Sequence, residues 1–187
     1  MSNDNHPPDA ARKWPDLAGR LVERDGRRHH VLGVRVYFED TDFSGLVYHA
    51  SYVRWCERGR SDFLRLLGND HRGLIGGGAG REPAAFVVRR MGLEFLKPAR
   101  IDEVLEVETR VKEIGAAHLV LDQQIYGVSP LAPTAAASDT AETTRGLNPS
   151  LLFTAEVMVV LVSVSGKPLR IAAELRNAFA NRPDLVK

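Results

Sequence analysis

Val34-Arg-Val-Tyr-Phe-Glu-Asp-Thr-Asp-Phe-Ser-Gly-Leu-Val-Tyr-His49, running on into a helical pattern over Ser51–Leu67, is the stretch whose reading decides the fold. Val34, Val36 and Phe38 alternate with Arg35 and Tyr37, the period of a strand with one buried face. Glu39, Asp40, Thr41 and Asp42 then stop the strand and crowd acidity into one turn. Ser44-Gly45 supplies a backbone that can take positive φ or let a ligand approach closely. A helix start leaves several N–H groups without partners and carries partial positive charge, so it can hold a developing oxyanion. Asp42 is close enough to that helix start in sequence for both to face one small volume.

Within the helix, Tyr52, Cys56, Gly59, Phe63 and Leu67 recur at spacings of three or four, and Val53 and Leu64 widen the stripe. A glycine inside a helix costs about 1 kcal/mol relative to alanine, so Gly59 predicts close packing against a sheet or another chain. Gly68 is placed to end the helix. Glu57, Arg58, Arg60 and Asp62 read as a solvated, mutually paired face, with Glu57 and Arg58 as the candidates for bracing the acidic turn.

Downstream, Asp70–Pro83 is glycine-rich but lacks the lysine and serine of a phosphate loop, and reads as a mobile loop. Four strand-like segments follow. Ala85–Phe95 places Val87, Met91, Leu93 and Phe95 on one face. In Val104–Ile114 the apolar or neutral Leu105, Val107, Thr109 and Val111 alternate with Glu106, Glu108, Arg110 and Lys112, predicting one buried and one wet face and an antiparallel sheet. Ala117–Tyr126 and the valine-rich Leu151–Ser163 complete the set, separated by a polar insertion at about 127–150 that cannot bury enough to order itself. Residues 1–28 read as a flexible tail with a short helical turn near Leu17–Val22, followed by one folded domain over 29–168 and a C-terminal helix and tail over 169–187. His29 and His30 point to opposite faces of a strand and read as surface residues rather than metal ligands.

The 187 residues have the makeup of one globular domain, with 44% hydrophobic and 26% charged side chains. A net charge of +1 gives no global field for nucleic acid or an anionic membrane surface. The first thirty residues hold no apolar leader, and a lone cysteine, Cys56, excludes an internal disulfide, so the chain is expected in the cytoplasm. Cys56 itself reads as a buried small hydrophobe. One strand, one long amphipathic helix and four antiparallel strands make an α+β layout, a curved sheet of about five strands wrapped around a central helix.

The stretch from Val34 to Tyr52, together with Glu57-Arg58, Arg60, Phe86-Val-Val-Arg89 and Pro98-Ala-Arg, resembles hot-dog-fold acyl-CoA thioesterases. It is most similar to the Tol-Pal-associated YbgC type within the 4-hydroxybenzoyl-CoA thioesterase family. The resemblance implies a hydrolase that cleaves acyl-CoA, or an acyl carrier protein thioester, to free acid and thiol. It puts the family's catalytic carboxylate at Asp42 and the oxyanion-binding backbone N–H at His49. For such a substrate, Gly45, Tyr48 and Tyr52 are the candidates at the acyl site, against the plainer reading of the tyrosines as core, and Arg89 with Arg90, Lys97 and Arg100 form a basic group that can pair with coenzyme A phosphates or simply be solvated. It implies no metal and no cofactor, coenzyme A being part of the substrate. It also implies sheets paired edge to edge in a homodimer or homotetramer with interfacial active sites, and a link to Tol-Pal by kinship alone. The alternatives within this fold are an acyl-CoA-binding sensor or scaffold and an enoyl-CoA hydratase.

Overall fold

The alternating side chains of Val104–Ile114 form the strand around which the sheet is assembled, because its buried face gives α1 a flat apolar surface. The computed structural model describes residues 19–69, 71–77, 82–128 and 149–180. Its elements run β1 (Arg20–Arg24), β2 (Arg27–Arg35), α1 (His49–Leu66), α2 (His71–Gly76), β3 (Ala84–Phe95), β4 (Val104–Ile114), β5 (His118–Val128), β6 (Ser150–Ser163) and α3 (Ala173–Phe179). The six strands make one antiparallel sheet in the order β1-β2-β4-β5-β6-β3. The hot-dog expectation of a sheet laid against one long helix holds, with one strand more than the sequence suggested.

The apolar stripe of α1 buries Tyr52, Trp55, Cys56, Phe63 and Leu64 against Leu105, Val107 and Val111 of β4 and their neighbours. Close packing at Gly59 is as its position predicts: a Cβ there would stand 2.9 Å from Thr109 Oγ1 and 3.3 Å from Val107 Cγ1. Beneath it, Gln123 Nε2 donates to both the Cys56 carbonyl and Thr109 Oγ1 at 2.8 Å, a buried polar link between helix and sheet. Burial pushes the Cys56 thiol up to about 12, which leaves it a protonated core residue. Gly68 takes positive φ just past the helix end.

Several expectations are corrected. Residues 20–24 form β1 instead of a helical turn or tail, paired in register Arg20↔Val31 to Arg24↔Arg27; residues 1–18 lie outside the described residues, as does most of the 127–150 insertion. Part of Asp70–Pro83 is the short helix α2. Phe38 is exposed, because the chain leaves the sheet after Arg35 and tightens into a 3-10 turn over Phe38–Asp40. A bulge at Arg89 changes the parity of β3, so Phe86 and Met91 both pack against the core, and Val87 does not share the face of Met91. The second face of β4 is not wet throughout: Glu106 and Glu108 are buried. Arg24 and His29 Nδ1 both hold the Glu108 carboxylate, and Arg20 lies 3.6 Å from Glu106.

His29 and His30 are accordingly buried rather than on the surface, His29 on Glu108 and His30 against Phe63, with ring centroids 6.0 Å apart. They do point to different partners, and no group of three metal-ligating side chains occurs among the described residues. Desolvation outweighs the nearby Asp62 carboxylate and lowers the His30 pKa from 6.5 to about 4. The folded chain therefore holds a neutral ring where the unfolded chain binds a proton. His30 contributes no penalty above pH 6.5; stability is lost as pH falls from there to about 4 and the loss levels off below. Urea midpoints at pH 7.5 and 5.0 should differ less in His30→Leu than in the parent chain; an equal difference would contradict this assignment.

Candidate active site

The acidic turn is built by backbone bonds that turn one aspartate inward and the other outward. Asp42 N–H donates to the Leu46 carbonyl and Gly45 N–H to the Asp42 carbonyl, both at 3.0 Å, with Gly45 at φ +76°. This is the pattern of a tight turn closed by a left-handed glycine, which is why a glycine stands there. Asp40 faces inward and is 6% exposed. Its Oδ2 accepts from the Tyr37 N–H at 3.0 Å, and its carbonyl accepts from the Tyr48 N–H at 2.8 Å and Ser51 Oγ at 3.2 Å. Arg54 donates to Ser51 Oγ at 2.8 Å and stands 3.7 Å from Asp40 Oδ1. Asp40 and Arg54 thus tie the turn to the first turn of α1, the role the sequence reading offered to Glu57 and Arg58. Glu57 instead accepts from Ser61 Oγ, four residues on.

Asp42 is exposed, and Ser44 donates to its Oδ1 from both hydroxyl and backbone N–H. The Ser44 hydroxyl first, and then the backbone bond, hold its carboxyl below the usual carboxylate range. Its Oδ2 has no partner among the described residues. At the helix start, Tyr48 is the N-cap and no side chain caps the first turn. The His49 N–H meets no acceptor among the described residues. The Tyr48 and His49 rings lie side by side, 4.2 Å between centroids.

Asp42, Tyr48, His49 and Tyr52 line one open cavity of about 410 Å³, whose far wall is Phe95, Leu96, Lys97 and Pro98. Tyr52 is mostly core, stacked on Phe153 at 5.3 Å, and its hydroxyl accepts from the Ala99 N–H at 2.8 Å. Burial pushes its phenol up, so it stays neutral. The Ala99 carbonyl in turn accepts from the Val47 N–H at 2.9 Å, which fixes the Pro98-Ala-Arg segment against the acidic turn. Of the far wall, only Lys97 figured among the candidate substrate contacts; Phe95, Leu96 and Pro98 escaped that reading, although Pro98-Ala-Arg was part of the motif that carried the resemblance. Gly45 shapes the turn without lining the cavity. Arg89 lies elsewhere, at the β3 bulge, beside a separate cavity of about 610 Å³ with Arg90 and His118.

The thioesterase superfamily model matches residues 44–131. A probable thioesterase from Bartonella henselae has a solved structure that is 38% identical, with TM-score 0.62, covering 77% of this chain and 99% of that one. The chain belongs to the thioesterase superfamily. Among curated members, the acyl-CoA thioester hydrolase YbgC of Escherichia coli O6:H1 is 45% identical over 92 residues, 49% of this chain. That match spans 65% of the relative's length. The 4-hydroxybenzoyl CoA thioesterase from Pseudomonas sp. strain CBS-3 shares the superfamily fold at 18% identity, with TM-score 0.65 over 81% of this chain and 99% of its own.

Proposed function

We propose that this chain hydrolyses the thioester of an acyl-CoA to free acid and coenzyme A. The observation that carries the reading is the pairing, in one cavity, of an ionised Asp42 with a free Oδ2 and the unpartnered His49 N–H at the start of α1. Asp42 acts as general base toward water, or attacks the carbonyl itself to form an anhydride that water then opens. Either way the carbonyl oxygen gathers negative charge that the His49 N–H and the helix dipole stabilise, a term worth about 2.7–4 kcal/mol per donor in other enzymes. The C–S bond breaks as the tetrahedral species collapses, releasing thiolate. Tyr48 and Tyr52 offer walls for the acyl group, and Gly45 closes the turn that presents Asp42. The chemistry uses no metal and no cofactor beyond the coenzyme A of the substrate.

Oligomerisation belongs to the same reading. Among the described residues, the outer edge strand β3 is paired on one side only and exposes Val87, Val88, Leu93 and Phe95, an edge that a second copy would cover. A homodimer joined there, or a tetramer built from it, would bring a partner's Arg89 toward the substrate, where its guanidinium suits coenzyme A phosphates. A Tol-Pal connection rests on kinship and a cytoplasmic location on the sequence reading, and the thiol carrier is coenzyme A or an acyl carrier protein. No helix among the described residues is long and apolar enough to cross a membrane.

Thiol release from a panel of short aliphatic, long aliphatic and aromatic acyl-CoAs tests the proposal. Turnover of at least one class is expected; binding without thiol release would favour a sensor, and acyl-chain hydration with the thioester intact would favour a hydratase. Ser44→Ala supplies a pH test. The Ser44 hydroxyl is the largest cause of the lowered Asp42 pKa, so its removal should move the acidic limb of kcat/KM to higher pH. An unmoved limb would show that a different group titrates there.

A further inference from the structure

A second cavity, of about 160 Å³, opens between the middle of α1 and the sheet and shares no lining residue with the Asp42 cavity. Its walls are apolar, with Leu64, Phe86, Leu121 and Val159 among them, and one cation, Arg60, reaches in from the helix. Arg60 Nη1 is buried without a hydrogen-bond partner. Among the described residues the only carboxylate on the rim is Glu57, whose Oε1 accepts from Ser61 Oγ at 2.7 Å, and the neighbouring His71 is engaged on Ser61 Oγ at 3.1 Å. A guanidinium stays protonated in a protein, and Arg60, half-buried with the Glu57 charge near it, still holds one buried N–H group that lacks an acceptor, which is costly. The volume holds about five water-sized groups, too little for a long chain. A planar fork matches a carboxylate in two parallel hydrogen bonds, whereas the apolar walls and the negative Glu57 at the rim disfavour a phosphate dianion. Arg60 is also roughly 16 Å along the helix axis from His49 at 1.5 Å per residue, out of reach of a thioester carbonyl held there.

We propose that this cavity binds a small carboxylate, with the charge on Arg60 and a short alkyl tail against Leu64, Phe86, Leu121 and Val159. The carboxylate is either a free short-chain acid or the far end of an acyl chain that itself ends in a carboxylate. The first source stands independently of thioester hydrolysis; the second rests on that reading.

Calorimetric titration of the full chain with sodium butyrate is the test. One butyrate per chain is expected, with butyramide, of the same shape but uncharged, binding at least about tenfold more weakly. Arg60→Gln should weaken butyrate by about tenfold or more at an unchanged unfolding midpoint, and Arg60→Lys should retain part of the affinity. Asp42→Asn should leave butyrate binding untouched, which separates this site from the hydrolytic one. Equal binding of butyrate and butyramide, full affinity in Arg60→Gln, or loss in Asp42→Asn would overturn the proposal. Thiol release from hexadecanedioyl-CoA and palmitoyl-CoA, whose chains are long enough to span the roughly 16 Å between His49 and Arg60, distinguishes the sources. An Arg60→Gln defect confined to hexadecanedioyl-CoA identifies the chain end, a defect with neither identifies the free acid, and an equal defect with both overturns a separate site. If the parent chain turns over neither thioester, the butyrate titration still decides this site, and the full acyl-CoA panel decides the hydrolytic reading.

Discussion

Asp42→Asn is expected to lower kcat for thioester hydrolysis by on the order of 10²–10⁴ with little change in KM. The substitution keeps the shape of the side chain and leaves an oxygen to accept from the Ser44 hydroxyl and N–H, so the turn survives. What disappears is the anionic oxygen that takes a proton from water or attacks the carbonyl. The His49 N–H is a backbone group and is untouched, so residual turnover above the uncatalysed rate should remain, contributed by oxyanion stabilisation and positioning. Steady-state thiol release at several pH values is the measurement. A variant that matches the parent chain would reduce Asp42 to a turn former and remove the proposed mechanism.

Phe153→Ala should cost about 3–5 kcal/mol of folding stability, among the largest effects any single truncation in this chain would have. Phe153 is fully buried in β6, stacked on Tyr52 and set edge-on to Phe95 at 5.0 Å. Alanine would leave a void between helix and sheet that the flanking strands can only partly close, since Phe153 pairs with Ile125 on one side and Phe95 on the other. Because Tyr52 and Phe95 also line the Asp42 cavity, activity should fall at temperatures well below the unfolding midpoint. Urea unfolding monitored with an unchanged m-value gives the number, and a loss under about 1 kcal/mol would mean the aromatic cluster is less tightly coupled than its geometry indicates.

What could be read from the sequence follows from how local its cause is. The acidic turn, the helix from near Ser51, Gly59 at the helix–sheet contact and the strands β3 to β6 announce themselves through short-range periodicity and turn chemistry, whereas the alternation at Val34–Phe38 pointed past the end of β2, which runs Arg27–Arg35. β1 did not, because its side chains are mostly exposed and an edge strand needs no sustained apolar alternation. Burial of His29 could not be seen locally, since its partner Glu108 lies 79 residues away. The parity of β3 was lost for a related reason: one bulged residue reverses every side chain beyond it, and nothing about Arg89 marks it as bulged. At the site, Asp42 and His49 came from the motif, whereas the Asp40–Arg54 brace needed coordinates: Asp40 looked like one more acidic turn residue, and Arg54 like one more charge on the helix.

The buried amide of Gln123 sets a tolerance on chemistry it never touches. A helix is stiff along its axis, so an axial slip where Gln123 grips the Cys56 carbonyl is passed undiminished to the other end of the rod. Gly59 pressed on Thr109 limits movement toward the sheet, and Gln123 limits movement along it. The proposed oxyanion donor is therefore aimed from below, in the way a lathe holds a tool at its shank rather than its tip. Drift at positions 59, 109 or 123 would be felt as a misplaced N–H at His49, with every residue in the cavity still in place.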